Sequence, residues 1–158
     1  EQIKTAREKV SGQENNNLND VLLAFPDVIH MFDTELGNLE DPYTELIREY
    51  RKISHDDFNA TEISDNFDIE KSRKAVLKFK IGNKAYSKTL KIESDWIDTD
   101  FFDFVKNVVI ENKLKGQFYE LYTGGQEASI IYLTKGQYDY LKTNKLLVFA
   151  EDEWKDEE

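Results

Sequence analysis

The chain carries few side chains with chemistry of their own. Its 158 residues include no cysteine and two histidines, His30 and His55. Thiolate nucleophiles, thiolate zinc centres and disulfide frameworks are thereby removed together. Neither histidine stands in an HExxH spacing. Ser54-His55-Asp56-Asp57 holds the residue types of a hydrolytic triad, yet adjacent residues on an extended loop do not converge on one reacting atom. His30 sits beside Ile29 on the flank of an apolar stripe, where a histidine packs as part of the structure.

The 32 aspartates and glutamates are too many to single out an acid–base pair, which needs only two carboxylates at a suitable separation. Residues 95–100 alternate oxygen ligands but lack the glycine turn and the bidentate glutamate of a calcium loop. Gly124-Gly125 has no following lysine and no strand-to-helix context, so it reads as a hairpin turn rather than a phosphate loop. Asn59-Ala60-Thr61 matches a glycosylation sequon, which matters only in a eukaryotic secretory setting. The residues predict no catalytic group, no cofactor, no metal ligand and no enzyme.

Charge points further. A net charge of −11 and a pI near 4.7 oppose a nucleic-acid partner, because lysines and arginines on phosphates supply most of that affinity. A basic protein partner is favoured. The charge is uneven: residues 71–92 hold eight basic side chains and no acid. Acids gather in two stretches, 56–70 and 93–103. In the second, five acids surround Trp96, Phe101 and Phe102, a pattern of aromatic anchors in an acidic rim. The predicted partner-binding residues are Asp56, Asp57, Asp65, Asp68, Asp95, Trp96, Asp98 and Asp100. No apolar run reaches the roughly 18 residues of a membrane span, and residues 1–10 lack a signal-peptide core. A cytoplasmic location without membrane contact is the expectation.

Elements must position these groups. With 39% hydrophobic residues the chain has enough apolar surface to fold. Residues 1–17 read as a flexible arm, 18–150 as one domain and 151–158 as a frayed acidic tail. Leu22, Phe25, Ile29, Phe32 and Leu36 recur every three or four residues and predict a first helix, with Pro26 bending it or marking its start and Gly37-Asn38 ending it. Asp41-Pro42 opens a second helix carrying Tyr43, Leu46, Ile47, Tyr50 and Ile53. Residues 54–70 read as a long acidic connection.

A hairpin follows, with Ala75, Leu77, Phe79 and Ile81 alternating and Gly82-Asn83 as a type II′ turn. Its register pairs Phe79 with Tyr86 and Ala75 with Leu90, and puts Lys88 opposite Leu77 on the apolar face, a mark of an edge strand or a bulge. Residues 98–100 cap a third helix. Residues 117–122 and 126–133 form a second hairpin, whose later strand is apolar on both faces and so central. Thr134 and Gln137 make a capping box for a short helix, and 146–150 is a last strand. The class is α+β: two N-terminal helices, then an antiparallel or mixed sheet of about five strands with helices packed on it, in the order ββαββαβ.

Trp96-Ile97-Asp98, Phe101-Phe102, residues 116–119, Gly125-Gln126 and residues 131–134 together resemble the small acidic immunity proteins of bacterial polymorphic and contact-dependent toxin systems. That resemblance covers about a third of the chain and implies a non-enzymatic protein that blocks a cognate toxin, often a basic nuclease. The alternative is a secreted or phage-encoded interaction or structural domain, including an acidic DNA mimic, with no toxin partner.

Overall fold

The structure, a computed structural model, describes residues 18–36, 39–68 and 70–153. The expected arm over 1–17, the helix stop at Gly37-Asn38 and the end of the acidic tail, 154–158, lie outside the described residues. The elements in order are α1 (Leu18–Leu22), β1 (Ile29–Asp33), α2 (Pro42–Ile53), β2 (Ala60–Ser64), β3 (Lys74–Ile81), β4 (Lys84–Lys91), α3 (Asp100–Glu111), β5 (Gly116–Leu121), β6 (Glu127–Thr134), α4 (Lys135–Thr143) and α5 (Ala150–Glu153).

This order overturns the expected arrangement of two N-terminal helices followed by one five-stranded sheet. Pro26 has no amide hydrogen and its ring excludes the preceding helical turn, so α1 stops at Leu22 and the chain turns through Val28 N–H to Phe25 C=O at 2.9 Å. The next five residues take a strand because β6 offers a ladder, from Ile29 opposite Ile131 to Asp33 opposite Glu127. Their three-and-four spacing fits a helix equally well, and tertiary pairing decides. β2 lies inside the stretch that reads as a long connection, and the expected last strand is reduced to a single bridge between Leu121 and Phe149. Among the described residues, six strands form two antiparallel sheets, ordered β1-β6-β5 and β2-β3-β4. The α+β class stands.

Other expectations hold in detail. The β3–β4 register pairs Ala75 with Leu90, Leu77 with Lys88 and Phe79 with Tyr86, and Gly82 turns the hairpin at φ 56°. Lys88 is tolerated on the apolar face because β4 is an edge strand and its ammonium reaches the Asp100 carboxylate at 2.8 Å, leaving only its aliphatic stem inside. The Thr134–Gln137 capping box opens α4.

β6 is central, and its apolar run serves two cores. Ile130 and Tyr132, with Phe118 and Phe32 of the neighbouring strands, face the main core; Ile131 and Leu133 face a smaller cluster with Ile29, Leu121, Leu147 and Phe149. α2 packs across β1, β2 and β6, and α3 across β4 and β5. Between them the aromatic rings interlock, with Tyr50 4.5 Å from Phe118 and Phe58 5.4 Å from Phe118 in an edge-on contact. Such tilted pairs add to the area they bury. Asn19 ties α1 to the C-terminal part of the chain: its amide donates to the Val148 carbonyl at 2.9 Å and accepts from the Val148 N–H at 3.2 Å.

Candidate functional site

α2 is the element around which the surface chemistry is arranged. Pro42 suits its first turn, but Asp41, the expected cap, is left-handed at φ 48° and its side chain makes no cap bond. The Asp65 carboxylate replaces it, accepting from the Thr44 N–H at 2.7 Å and from Phe67 N–H at 3.0 Å. In the same turn the Tyr43 hydroxyl accepts the Asp98 N–H at 3.0 Å, and burial pushes that phenol up to about 12. The start of α2 is therefore clamped to the 93–100 segment.

Between β1 and α2 lies a groove of about 310 Å³. Phe32, Leu36, Leu39, Pro42 and Leu46 make its floor and walls, and Asp33, Glu35, Glu45 and Glu49 stand around it, with no lysine or arginine in the lining. Arg48 and Lys52 pair with Glu45 and Glu49 one helical turn on, outside the groove. Exposed pairs of this kind contribute little, so a partner's cation competes for the same carboxylates at small cost. His30 lies at the groove, stacked on Phe32 with centroids 5.2 Å apart and 3.7 Å from Glu49. Its pKa is lowered, chiefly by burial, against the raising effect of Glu49 and with a further lowering by Lys52; the rim acids are thus not offset by a ring charge at neutral pH.

The 93–100 segment adjoins this groove. Leu36 N–H bonds the Asp95 carbonyl, Ile97 N–H bonds the Thr34 carbonyl, and Glu35 bridges Trp96. Trp96 is 44% exposed and Leu39 55%. A second depression of about 320 Å³ lies along the 93–100 segment, lined by Glu93, Trp96, Asp98 and Asp100 together with one cation, Lys91.

The predicted partner-binding residues do not share one place. Asp65 caps the first turn of α2, Asp95, Trp96 and Asp98 are tied to that end through Leu36, Glu35 and Tyr43, and Asp100 opens α3, while Asp68 is held in its own turn by Lys71. Asp56 and Asp57 lie beyond the C-terminus of α2, separated from that end by a 12-residue helix that is about 18 Å long. Most of these acids also hold the fold. Asp98 accepts from Lys91 and Asp100 N–H groups at 2.6 and 3.0 Å. Asp68 is paired with Lys71, whose ammonium holds its carboxyl below the usual range, and Lys88 does the same for Asp100. Asp56 meets Arg51 at 2.5 Å. Asp57 receives the Tyr132 hydroxyl at 2.7 Å and Lys115 N–H at 2.8 Å.

The Ser54 hydroxyl bonds the Arg51 carbonyl at 2.8 Å and accepts Phe58 N–H at 3.1 Å, which makes it a turn residue rather than a nucleophile. Among the described residues no three histidine or carboxylate side chains group to hold a metal ion, and no helix is long and apolar enough to cross a membrane. Sequence reasoning missed Asp33, Glu35, Glu45 and Glu49. Their common signal, an acid next to Phe32, Leu36, Leu46 and Tyr50 in turn, has meaning only once β1 and α2 are known to face each other. No family model, no curated protein and no solved structure matches this chain.

Proposed function

We propose that the chain is a non-enzymatic binding protein of the immunity class, which neutralises a basic toxin domain by docking it on the face formed by the β1–α2 groove and the 93–100 segment. One observation carries this reading: an apolar groove lined by four carboxylates and no cation adjoins an exposed tryptophan in an acidic segment. Apolar anchors within an acidic rim suit a basic protein surface, with the charges steering encounter and the desolvated centre holding the complex. The acids at this end work twice, as local caps and ion pairs and as a source of negative potential.

The test is capture from the native host with tagged wild-type protein beside a Glu45→Lys/Glu49→Lys variant, each at low and high salt. The reading predicts a basic toxin domain that is retained by the wild type at low salt, lost at high salt and with the variant, and inhibited by the purified wild-type protein. Absence of any partner at either salt, or equal capture by the variant, would contradict it.

A further inference from the structure

The four outer edges of the two sheets are not treated alike. β4 carries Lys84, Lys88 and Lys91 along its length. β2 breaks register between Thr61 and Ser64, with Glu62 at φ 50°. Beyond β5, the bridge from Leu121 to Phe149 and the 3.0 Å bond from Tyr122 N–H to the Val148 carbonyl occupy the edge. Charge, irregularity and cover are the usual ways a fold prevents an edge strand from pairing with another chain. β1, with the sequence Ile-His-Met-Phe-Asp, has no lysine, proline or register shift and pairs only with β6 among the described strands. The Glu35–Trp96 bridge and the bond from Ile97 N–H to the Thr34 carbonyl cover the chain just past it, so residues 29–33 are the stretch without such a bridge, and they border the apolar groove on the side of His30 and Phe32.

We infer that this edge takes an extended basic segment, which adds to β1 as a fourth strand of its sheet. The inference rests on the docking face described above and names the form of partner that the groove admits. In a strand alternate side chains point the same way. One set of apolar side chains from the added segment faces Phe32, Leu36 and Leu46, while flanking lysines or arginines reach Asp33, Glu35, Glu45 and Glu49. Main-chain bonds to β1 supply affinity, and the groove and its rim supply selection for apolar residues between cations. The five residues of β1 span about 17 Å, enough for two or three such side chains.

The probe is a capped heptapeptide, Lys-Thr-Leu-Thr-Val-Thr-Lys, whose two lysines, leucine and valine share one face of a strand; it is titrated into the full chain by calorimetry, with amide hydrogen exchange read at residues 29–33. Two controls are the same peptide N-methylated at alternate amides, in each of the two registers, and a peptide with glutamate at every basic position. The expected result is that exchange at β1 amides slows by about tenfold or more, that one N-methylated register loses about tenfold in affinity while the other does not, and that the acidic peptide does not bind. Equal binding by both N-methylated forms, without β1 protection, would overturn the strand addition and leave the acidic docking face standing. Failure of every peptide to bind overturns it too. Protection of β1 without peptide, growing with protein concentration, would assign the edge to a second copy of the chain and equally overturn it.

Discussion

Tyr50 and Tyr132 both bring a hydroxyl to the main core, and their surroundings predict opposite results when it is removed. The Tyr50 hydroxyl is buried and has no hydrogen-bond partner among the described residues, and burial holds its pKa well above the ordinary value. A buried donor without a partner costs stability. Tyr50→Phe is expected to raise the unfolding free energy by about 1 kcal/mol in urea titration. The Tyr132 hydroxyl donates to Asp57 and accepts Gly116 N–H at 3.0 Å, joining the turn after α2 to the β5–β6 hairpin. Tyr132→Phe strands the Gly116 amide and is expected to cost about 1–3 kcal/mol in the same assay. His30 adds a pH dependence. Burial lowers its pKa from 6.5, so the unfolded chain binds the proton first as pH falls. The contribution is fully present above about 6.5 and is lost as pH falls through the lower folded value. Denaturation from pH 8 downward should show this slope in the wild type and lose it in His30→Phe, which keeps the ring stacked on Phe32.

At the scale of elements, the three long-chain turns that end α2, α3 and α4 share one design. Each helix closes with paired backward bonds: Asp56 N–H to Arg51 C=O at 3.1 Å, Leu114 N–H to Val109 C=O at 3.2 Å, and Leu146 N–H to Leu141 C=O at 2.9 Å. The residue before each is left-handed: His55 at φ 50°, Lys113 at φ 52° and Lys145 at φ 51°. Glycine is the usual occupant there, since a Cβ costs about 1–2 kcal/mol in that conformation. Lys145→Gly and Lys113→Gly are each expected to raise stability by about 0.5–1 kcal/mol after the entropy of the freer unfolded chain is subtracted. A loss in thermal denaturation would contradict that account.

These ends also show what the residues could tell in advance. The β3–β4 hairpin was legible, down to Lys88 opposite Leu77, because a two-residue turn sets register locally. So was the Thr134–Gln137 box, whose spacing is its own geometry. The helix stops were not, since none carries its glycine. β1 was not, because Ile29, Phe32 and Leu36 satisfy a helical period and only β6, a hundred residues away, makes them a strand. The Asp65 cap on Thr44 was hidden for the same reason. Within the candidate site, Trp96 and its neighbouring acids were readable as one acidic stretch, whereas the groove needed two elements to meet.

For the whole molecule, the uneven charge of the sequence becomes a question of which charges are spent internally. Five of the eight bases in the 71–92 stretch are matched among the described residues: Lys71 with Asp68, Lys80 with Glu62, Lys84 with Glu111, Lys88 with Asp100 and Lys91 with Glu93. Negative charge is concentrated on surfaces such as the β1–α2 groove, whose lining holds four acids and, apart from His30, no basic side chain, Glu45 and Glu49 being shared with the exposed Arg48 and Lys52. Long-range attraction of this kind is screened over about 8 Å at physiological salt, so association with a basic partner should slow steeply as salt rises, while dissociation, governed by Trp96, Leu39 and the groove floor, changes less. The most direct measurement is the hydrogen-exchange footprint of the complex with the captured partner. The account predicts protection concentrated at residues 29–36, 42–49 and 93–100, with little change over the lysine-bearing strands at 74–91. A footprint centred on those strands, or on Asp56 and Asp57 beyond the far end of α2, would contradict it.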